Sequence, residues 1–315
     1  MEANDDIYRF DGKQQQDLLA AKPWASDPRF FKAVKISVNA LLKMMMHART
    51  GGKIEVMGML FGKVAIGTMI VMDCFALPVE GSETRVNAHT EAYEYMSTFL
   101  NSARKVNRLE NVIGWYHSHP GYGCWLSGID VNTEMINQAF QDPFLAIVVD
   151  PVRTIATNRV HLGAFRTLPV EIIASLKEEI SPEYQSIPLE KIEDFGAYAN
   201  AYYSLKVSYF QSELDSKLIG AMSTESASNT LKSPSIFTYP GYTTDQVLDI
   251  VRKLKTSEQQ IIDNDTDVRY DYERMERDTN LEKAARDGCK LITEVIRGIM
   301  TQIIKDRLFN QVNLK

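Results

Sequence analysis

The stretch from Asn111 to Val131, reading Asn-Val-Ile-Gly-Trp-Tyr-His-Ser-His-Pro-Gly-Tyr-Gly-Cys-Trp-Leu-Ser-Gly-Ile-Asp-Val, constrains this chain more than any other. Its apolar run, Val112 to Tyr116, reads as a buried strand that meets a glycine-rich turn, after which Ser127 opens a helical pattern reaching Phe140. Residues two apart in an extended chain share a face, so His117 and His119 point the same way. Asp130 falls in the first helical turn, where a strand end and a helix start can converge on one ion. Two imidazoles and a carboxylate suit a divalent zinc, and three protein ligands leave a fourth position for water, as in catalytic sites.

The flanking segments read as alternating strands and helices, which points to an α/β core. Val38, Leu41, Leu42 and Met45 fall at helical spacing after Ser37, with Gly51-Gly52 as a stop. Residues 54–62 and 69–76 are apolar enough for two buried strands, and the interruptions at Lys63 and Asp73 argue against a membrane span. Further expectations are an amphipathic helix over 91–105 with Tyr95, Met96, Phe99 and Leu100 inward, strands at 144–150, 159–167 and 202–210, and a helix over 213–222. A short helix at 172–177 fits the charged loop after Pro169. The Ser/Thr/Asn/Pro-rich run around 223–243 marks a linker, and helices over 244–262 and 281–309 follow it. In the last of these, Ile292, Val295, Ile296, Ile299 and Ile303 form a broad apolar stripe of the kind that packs on other helices.

The chain thus divides into an N-terminal arm (1–31), an α/β domain (32–222), a linker (223–243) and C-terminal helices for assembly (244–315). Net charge is -6 with no basic block, so nucleic acid is not an expected partner. Three scattered cysteines make no disulfide framework and no thiol pair at metal spacing, and the acidic start is unlike a signal peptide; cytoplasm and nucleus are the expected compartments.

Glu55 stands out as a carboxylate at the head of an apolar strand, either a solvated first residue or a working group. Next to a zinc-activated water it supplies a general base, and that combination describes amide hydrolysis. Ser127-x-x-Asp130 fits a capping box, and the same hydroxyl is also placed to donate to an oxyanion. Trp125 reads as packing or as a wall of the substrate groove, and Cys124, a second candidate for that groove, is close enough to the site to be weighed as nucleophile or fourth ligand. His47, His89 and His161 lie outside any ligand-spaced cluster. A nucleobase deaminase, which also uses zinc-activated water, needs His-x-Glu and Cys-x-x-Cys, and neither is present.

Glu55, then His117-Ser-His119-Pro120, Ser127 and Asp130, resembles the JAMM motif of the MPN-domain metalloproteases without a gap. The resemblance implies an MPN domain with a central mixed β-sheet flanked by helices, one Zn2+ per chain on His117, His119 and Asp130, Glu55 as general base and Ser127 as oxyanion stabiliser. Flanking segments such as Phe75-Ala-Leu-Pro-Val-Glu-Gly81, Glu83-Thr-Arg-Val-Asn87 and Leu162-Gly-Ala-Phe-Arg-Thr167 are similar to the signalosome branch of the family rather than the proteasome-lid branch. That branch implies an isopeptidase that removes the ubiquitin-like neddylation modifier from cullin lysines, with other signalosome subunits, a second MPN-domain subunit among them, as partners. It also implies that the modifier's extended tail is held as an added strand at a sheet edge beside the zinc. Glu83 and Arg85 lie in a loop placed to cover that edge, and Arg85 is a candidate to pair with Asp130 and hold the isolated subunit quiet. A lid-type deubiquitinase and a non-catalytic MPN scaffold are the alternatives.

Overall fold

The structure is a computed structural model that describes residues 5–78, 90–157, 159–169, 186–224, 240–264 and 272–307. Two compact units emerge, one from residues 1–151, 160–184 and 193–222, the other from 152–159, 185–192 and 223–315.

The first unit is built on one mixed sheet. Its strands are β1 (Ala33–Ser37), β2 (Met57–Ala65), β3 (Thr68–Ala76), β4 (Asn111–Ser118), β5 (Ala146–Val149), β6 (Leu162–Thr167), β7 (Tyr202–Ser204) and β8 (Lys206–Phe210), in the order β7-β6-β5-β4-β2-β3-β1-β8. The apolar stretch after Val56 is the hairpin β2–β3, and no helix among the described residues is long and apolar enough to cross a membrane. Helix α1 (Gly12–Ala21) lies within the stretch expected to be an arm, and the Gln15 amide bonds both backbone groups of Val64, filling a strand's place at β2.

Helix α2 (Val38–Gly51) starts on Ser37, whose hydroxyl accepts from Ala40 N, and covers one face of the sheet through Ala40, Met44 and Ala48. The other face carries α3 (Thr90–Lys105) and α4 (Gly128–Phe140), with Met96, Phe99 and Leu100 packed against Met57, Met59, Trp115 and Val148. Tyr95, expected inward, is instead largely exposed, because the buried face of α3 is the one shared by 96, 99, 100 and 103. Pairing of β4 with β2 steps from Gly114 opposite Leu60 to Val112 opposite Phe61, which leaves Ile113 as an extra residue and turns it to the α2 face. β4 and β5 run parallel with α4 as their crossover.

The expected strand over 202–210 is two strands. Leu205 is buried between them and donates its N–H to Ala164 O, while Lys206 N donates to Lys32 O. β7 therefore extends the β6 edge and β8 the β1 edge, so the sheet curls until its two outer strands are consecutive in the chain. Helices α6 (Ile192–Tyr198) and α7 (Glu213–Thr224) complete this unit among the described residues.

In the second unit, beside the short α5 (Pro151–Thr157), α8 (Pro240–Asn264) and α9 (Tyr272–Lys305) are longer than the sequence pattern marks. Lys253 joins them: its ammonium lies 2.6 Å from Asp287 and 2.8 Å from Asp249 and donates to Ile187 O. Asp249 in turn accepts from Leu189 N. The loop with Glu83 and Arg85, His89, the helix expected at 172–177 and most of the linker fall outside the described residues.

Candidate metal centre

β4 ends at Ser118, which exchanges backbone and hydroxyl hydrogen bonds with Val56. His119 continues the strand direction by one more bond, its N–H donating to Val149 O on the parallel neighbour at 2.9 Å. The alternation of an extended chain thereby survives to His119, and both imidazoles face α4.

The turn that follows is held by Asp150, at the end of β5. Its two carboxylate oxygens accept from Gly121 N (3.0 Å) and Gly123 N (2.9 Å), both glycines having φ near +95°, a region that side chains other than glycine avoid. Gly123 O then accepts from His119 Nδ1 at 3.0 Å, which fixes the proton on Nδ1 and leaves the Nε2 lone pair facing the site.

α4 brings in Asp130. Ser127 caps the helix in a full capping box: its hydroxyl accepts from Asp130 N, and Asp130 Oδ2 accepts from Ser127 N (2.9 Å) and from the Ser127 hydroxyl (2.7 Å). The same Oδ2 lies 3.4 Å from His117 Nε2 and 3.7 Å from His119 Nε2, and the two Nε2 atoms are 3.0 Å apart. Donors on one tetrahedral zinc, each about 2.0–2.1 Å from it, sit about 3.3 Å apart. The three groups therefore fit a single zinc-sized ion, and they are the only such cluster of His, Cys, Asp and Glu among the described residues.

The electrostatics agree with that fit. Burial alone pulls His117 toward the neutral form, but the Asp130 carboxylate and, more weakly, Glu55 outweigh it and raise its pKa. Burial likewise pushes Asp130 up, yet the charge and hydrogen bonds of the two imidazoles hold it well below the usual carboxylate range. Each partner stabilises charge on the other, the environment a cation between them would occupy.

Glu55 lies two residues ahead of β2, not inside a strand as expected, because pairing starts at Met57 opposite His117. It is half-buried and accepts from the Tyr122 hydroxyl, and the Tyr122 ring stacks on His119 at 4.4 Å. Trp125 does not wall an open groove. It is buried edge-on to His119 and Phe195, donating Nε1–H to Tyr122 O. Cys124 is buried in the apolar cluster with Leu126 and Phe165 and is no member of the ligand cluster. His47 bonds the Tyr116 hydroxyl from α2, and His161 precedes β6 rather than lying in it. β4 itself is flanked on both sides, by β2 and β5, so a strand added to this sheet would not pair with the histidine strand.

Trp115 packs, as a reading of the sequence expects, with its ring stacked on His117; two participants, Asp150 and Glu134, were not singled out from sequence. Asp150 closes an apolar strand run at the same level as the histidines, and Glu134 is a carboxylate four residues after Asp130 on a helix face otherwise buried. Both are signals that a search limited to ligand spacing passes over.

Fold and site together define a domain of the JAB/MPN class: residues 29–143 match the family described as JAB1/Mov34/MPN/PAD-1 ubiquitin protease. Residues 233–310 match the Cop9 signalosome subunit 5 C-terminal domain. The chain is similar to COP9 signalosome complex subunit 5 of Drosophila melanogaster, 54% identical over 98% of this chain and 93% of the relative. It is also similar to the same subunit of Dictyostelium discoideum (49%, covering 98% and 91%) and to subunit 5a of Arabidopsis thaliana (49%, covering 98% and 87%). The chain belongs to the COP9 signalosome complex subunit 5 family.

Proposed function

We propose that this chain is a zinc-dependent isopeptidase that, within a signalosome complex, removes the ubiquitin-like neddylation modifier from cullin lysines. The observation that carries the chemistry is the convergence of His117 Nε2, His119 Nε2 and Asp130 Oδ2 within ligand distance of one point. Zinc bound there supplies Lewis acidity that makes water a nucleophile near neutral pH. Glu55 takes the water's proton on its carboxylate and delivers it to the lysine amine as the C–N bond breaks. Ser127 donates a hydrogen bond from its hydroxyl to the developing oxyanion. In the described arrangement both groups are engaged, Ser127 with Asp130 and Glu55 with Tyr122. Ser127 must turn its hydroxyl from Asp130 to act, while Glu55 keeps its second carboxylate oxygen for the water's proton. Arg85, paired with Asp130, would hold the isolated subunit quiet. Family membership and the C-terminal helices support other signalosome subunits as partners; the cullin substrate and a nuclear and cytoplasmic setting are part of the same proposal.

The test is cleavage of neddylated cullin against polyubiquitin chains by the assembled complex, with zinc content measured alongside. Glu55→Gln retains zinc and loses turnover by about 10²–10⁴, since a base is not a ligand. Near-normal turnover in that variant refutes the general-base role, and preference for polyubiquitin refutes the substrate.

A further inference from the structure

The proposed chemistry uses one of two contacts that α4 makes with β4. Residues four apart on a helix share a face, so α4 turns both Asp130 and Glu134 toward the strand. Asp130 meets the histidines. One turn on, Glu134 Oε2 accepts from Trp115 Nε1 at 2.9 Å. Trp115 precedes His117 by two residues, hence on the same face of β4, and the two rings are stacked with centroids 4.6 Å apart and planes 17° from parallel.

The two histidines are held in different ways. His119 Nδ1 donates to Gly123 O, the usual outer hydrogen bond that orients a metal-ligating imidazole. His117 Nδ1 is buried and has no hydrogen-bond partner among the described residues. Its ring is oriented by packing, with the Trp115 face as the parallel support, and Trp115 is itself tethered by Glu134.

We propose that Glu134 is a positioning residue of the metal centre: its carboxyl fixes the Trp115 indole, whose stacked face holds the His117 ring at the angle that aims Nε2 into the ligand cluster. The carboxyl suits the task because it is fully buried, and burial pushes its pKa up to about 8 despite the Trp115 N–H and the Arg166 charge, so near pH 7 it is a neutral acceptor. A neutral acceptor anchors the indole without adding a second negative charge behind Asp130.

This inference rests on the zinc reading, and the experiment separates the two. Zinc affinity of the full chain is measured by competition with a chromophoric chelator, and the visible absorption of the Co2+-loaded chain reports ligand geometry. Glu134→Leu, which removes the acceptor, weakens zinc binding about 10–100-fold and shifts the Co2+ bands. Glu134→Gln, whose amide oxygen accepts the same N–H, stays within about threefold of the parent on the same reasoning. Trp115→Phe keeps an aromatic face but loses the tether, weakening zinc binding about tenfold, and Glu134→Leu then adds nothing in that background. Should Glu134→Leu fail to fold, Trp115→Phe alone carries the test. Parent-like zinc affinity and Co2+ bands in both Glu134→Leu and Trp115→Phe overturn the proposal while leaving the zinc reading intact, as does Glu134→Gln weakening zinc as much as Glu134→Leu. A parent chain that binds no zinc overturns the zinc reading and this inference with it.

Discussion

The two units of this chain differ in how much apolar surface they enclose. In the first, apolar residues fill both faces of a sheet and the buried carboxyls Asp130, Glu134 and Asp150 each accept from an N–H at or beside the site. In the helical pair of the second, Ala284 is the one buried apolar side chain among the described residues of α8 and α9, while Lys253, Ser257 and Asp287 are buried with it. Ile292, Ile296, Ile299 and Ile303 on α9, and Val247, Leu248, Val251 and Leu254 on α8, are exposed. The first unit encloses large apolar clusters, while Ile66 and Phe140 among others stay exposed on it. The other is joined by a charge network and leaves its apolar surface available, which is the make-up of a segment built to enter a helical assembly.

Breaking the first unit at its centre has the largest expected effect. Asp130→Asn lowers zinc content and isopeptidase turnover together, turnover by about 10³ or more, equivalent to about 4 kcal/mol of activation free energy. The helical signal of the second unit stays as it was. In the second unit the matching break is Lys253→Met, which removes the ammonium that Asp287 and Asp249 share and costs about 3–5 kcal/mol. All three tryptophans, Trp24, Trp115 and Trp125, belong to the first unit, so tryptophan emission and zinc content remain those of the parent while the α8–α9 melting transition falls. A coupled loss of both signals would refute the independence of the two cores.

A third substitution sharpens the contrast between Asp287, which the Lys253 ammonium pairs directly, and Glu134, which burial keeps neutral near pH 7 despite the Arg166 charge. Glu134 has a folded pKa near 8, above its unfolded value, so its neutral form is fully stabilising only in acid. Stability falls as pH rises from about 4.5 toward 8, by up to about 1.4 kcal/mol per unit, and is flat above. Glu134→Gln lacks that slope. Urea melts followed by tryptophan emission at pH 5.5, 6.5 and 7.5 should show its advantage over the parent growing with pH, and a constant difference refutes the buried neutral acid. The smallest effect belongs to Ile292→Ser with Ile296→Ser, which changes the stability of the isolated chain by about 0.5 kcal/mol or less yet removes it from the assembled complex.

What could be read from sequence follows the range of the interactions. The His-x-His strand, the capped helix and the carboxylate in its first turn are local patterns, and each appears where spacing places it. Glu55 was visible as an anomaly, but its position outside β2 depends on the pairing of Met57 with His117 across 60 residues. Asp150 and Glu134 are single acids whose purpose exists only once β5 and α4 lie against β4. Leu205 carries no turn signal, since neither glycine nor proline interrupts Tyr202 to Phe210, and what splits that run is two sheet edges competing for it.

The place where the sheet curls back on itself also governs how the chain emerges from the ribosome. β1 pairs with β8 in parallel, Ala33 opposite Lys206, so a strand made early waits for one made more than 170 residues later. At a synthesis rate of about 5–20 residues per second, that wait lasts on the order of 10–30 seconds. For that interval the outer edge of β1 has no strand of its own chain to pair with, a surface open to chaperones and to neighbouring nascent chains alike. Cutting the chain at the end of the JAB/MPN match, residue 143, would make the wait permanent.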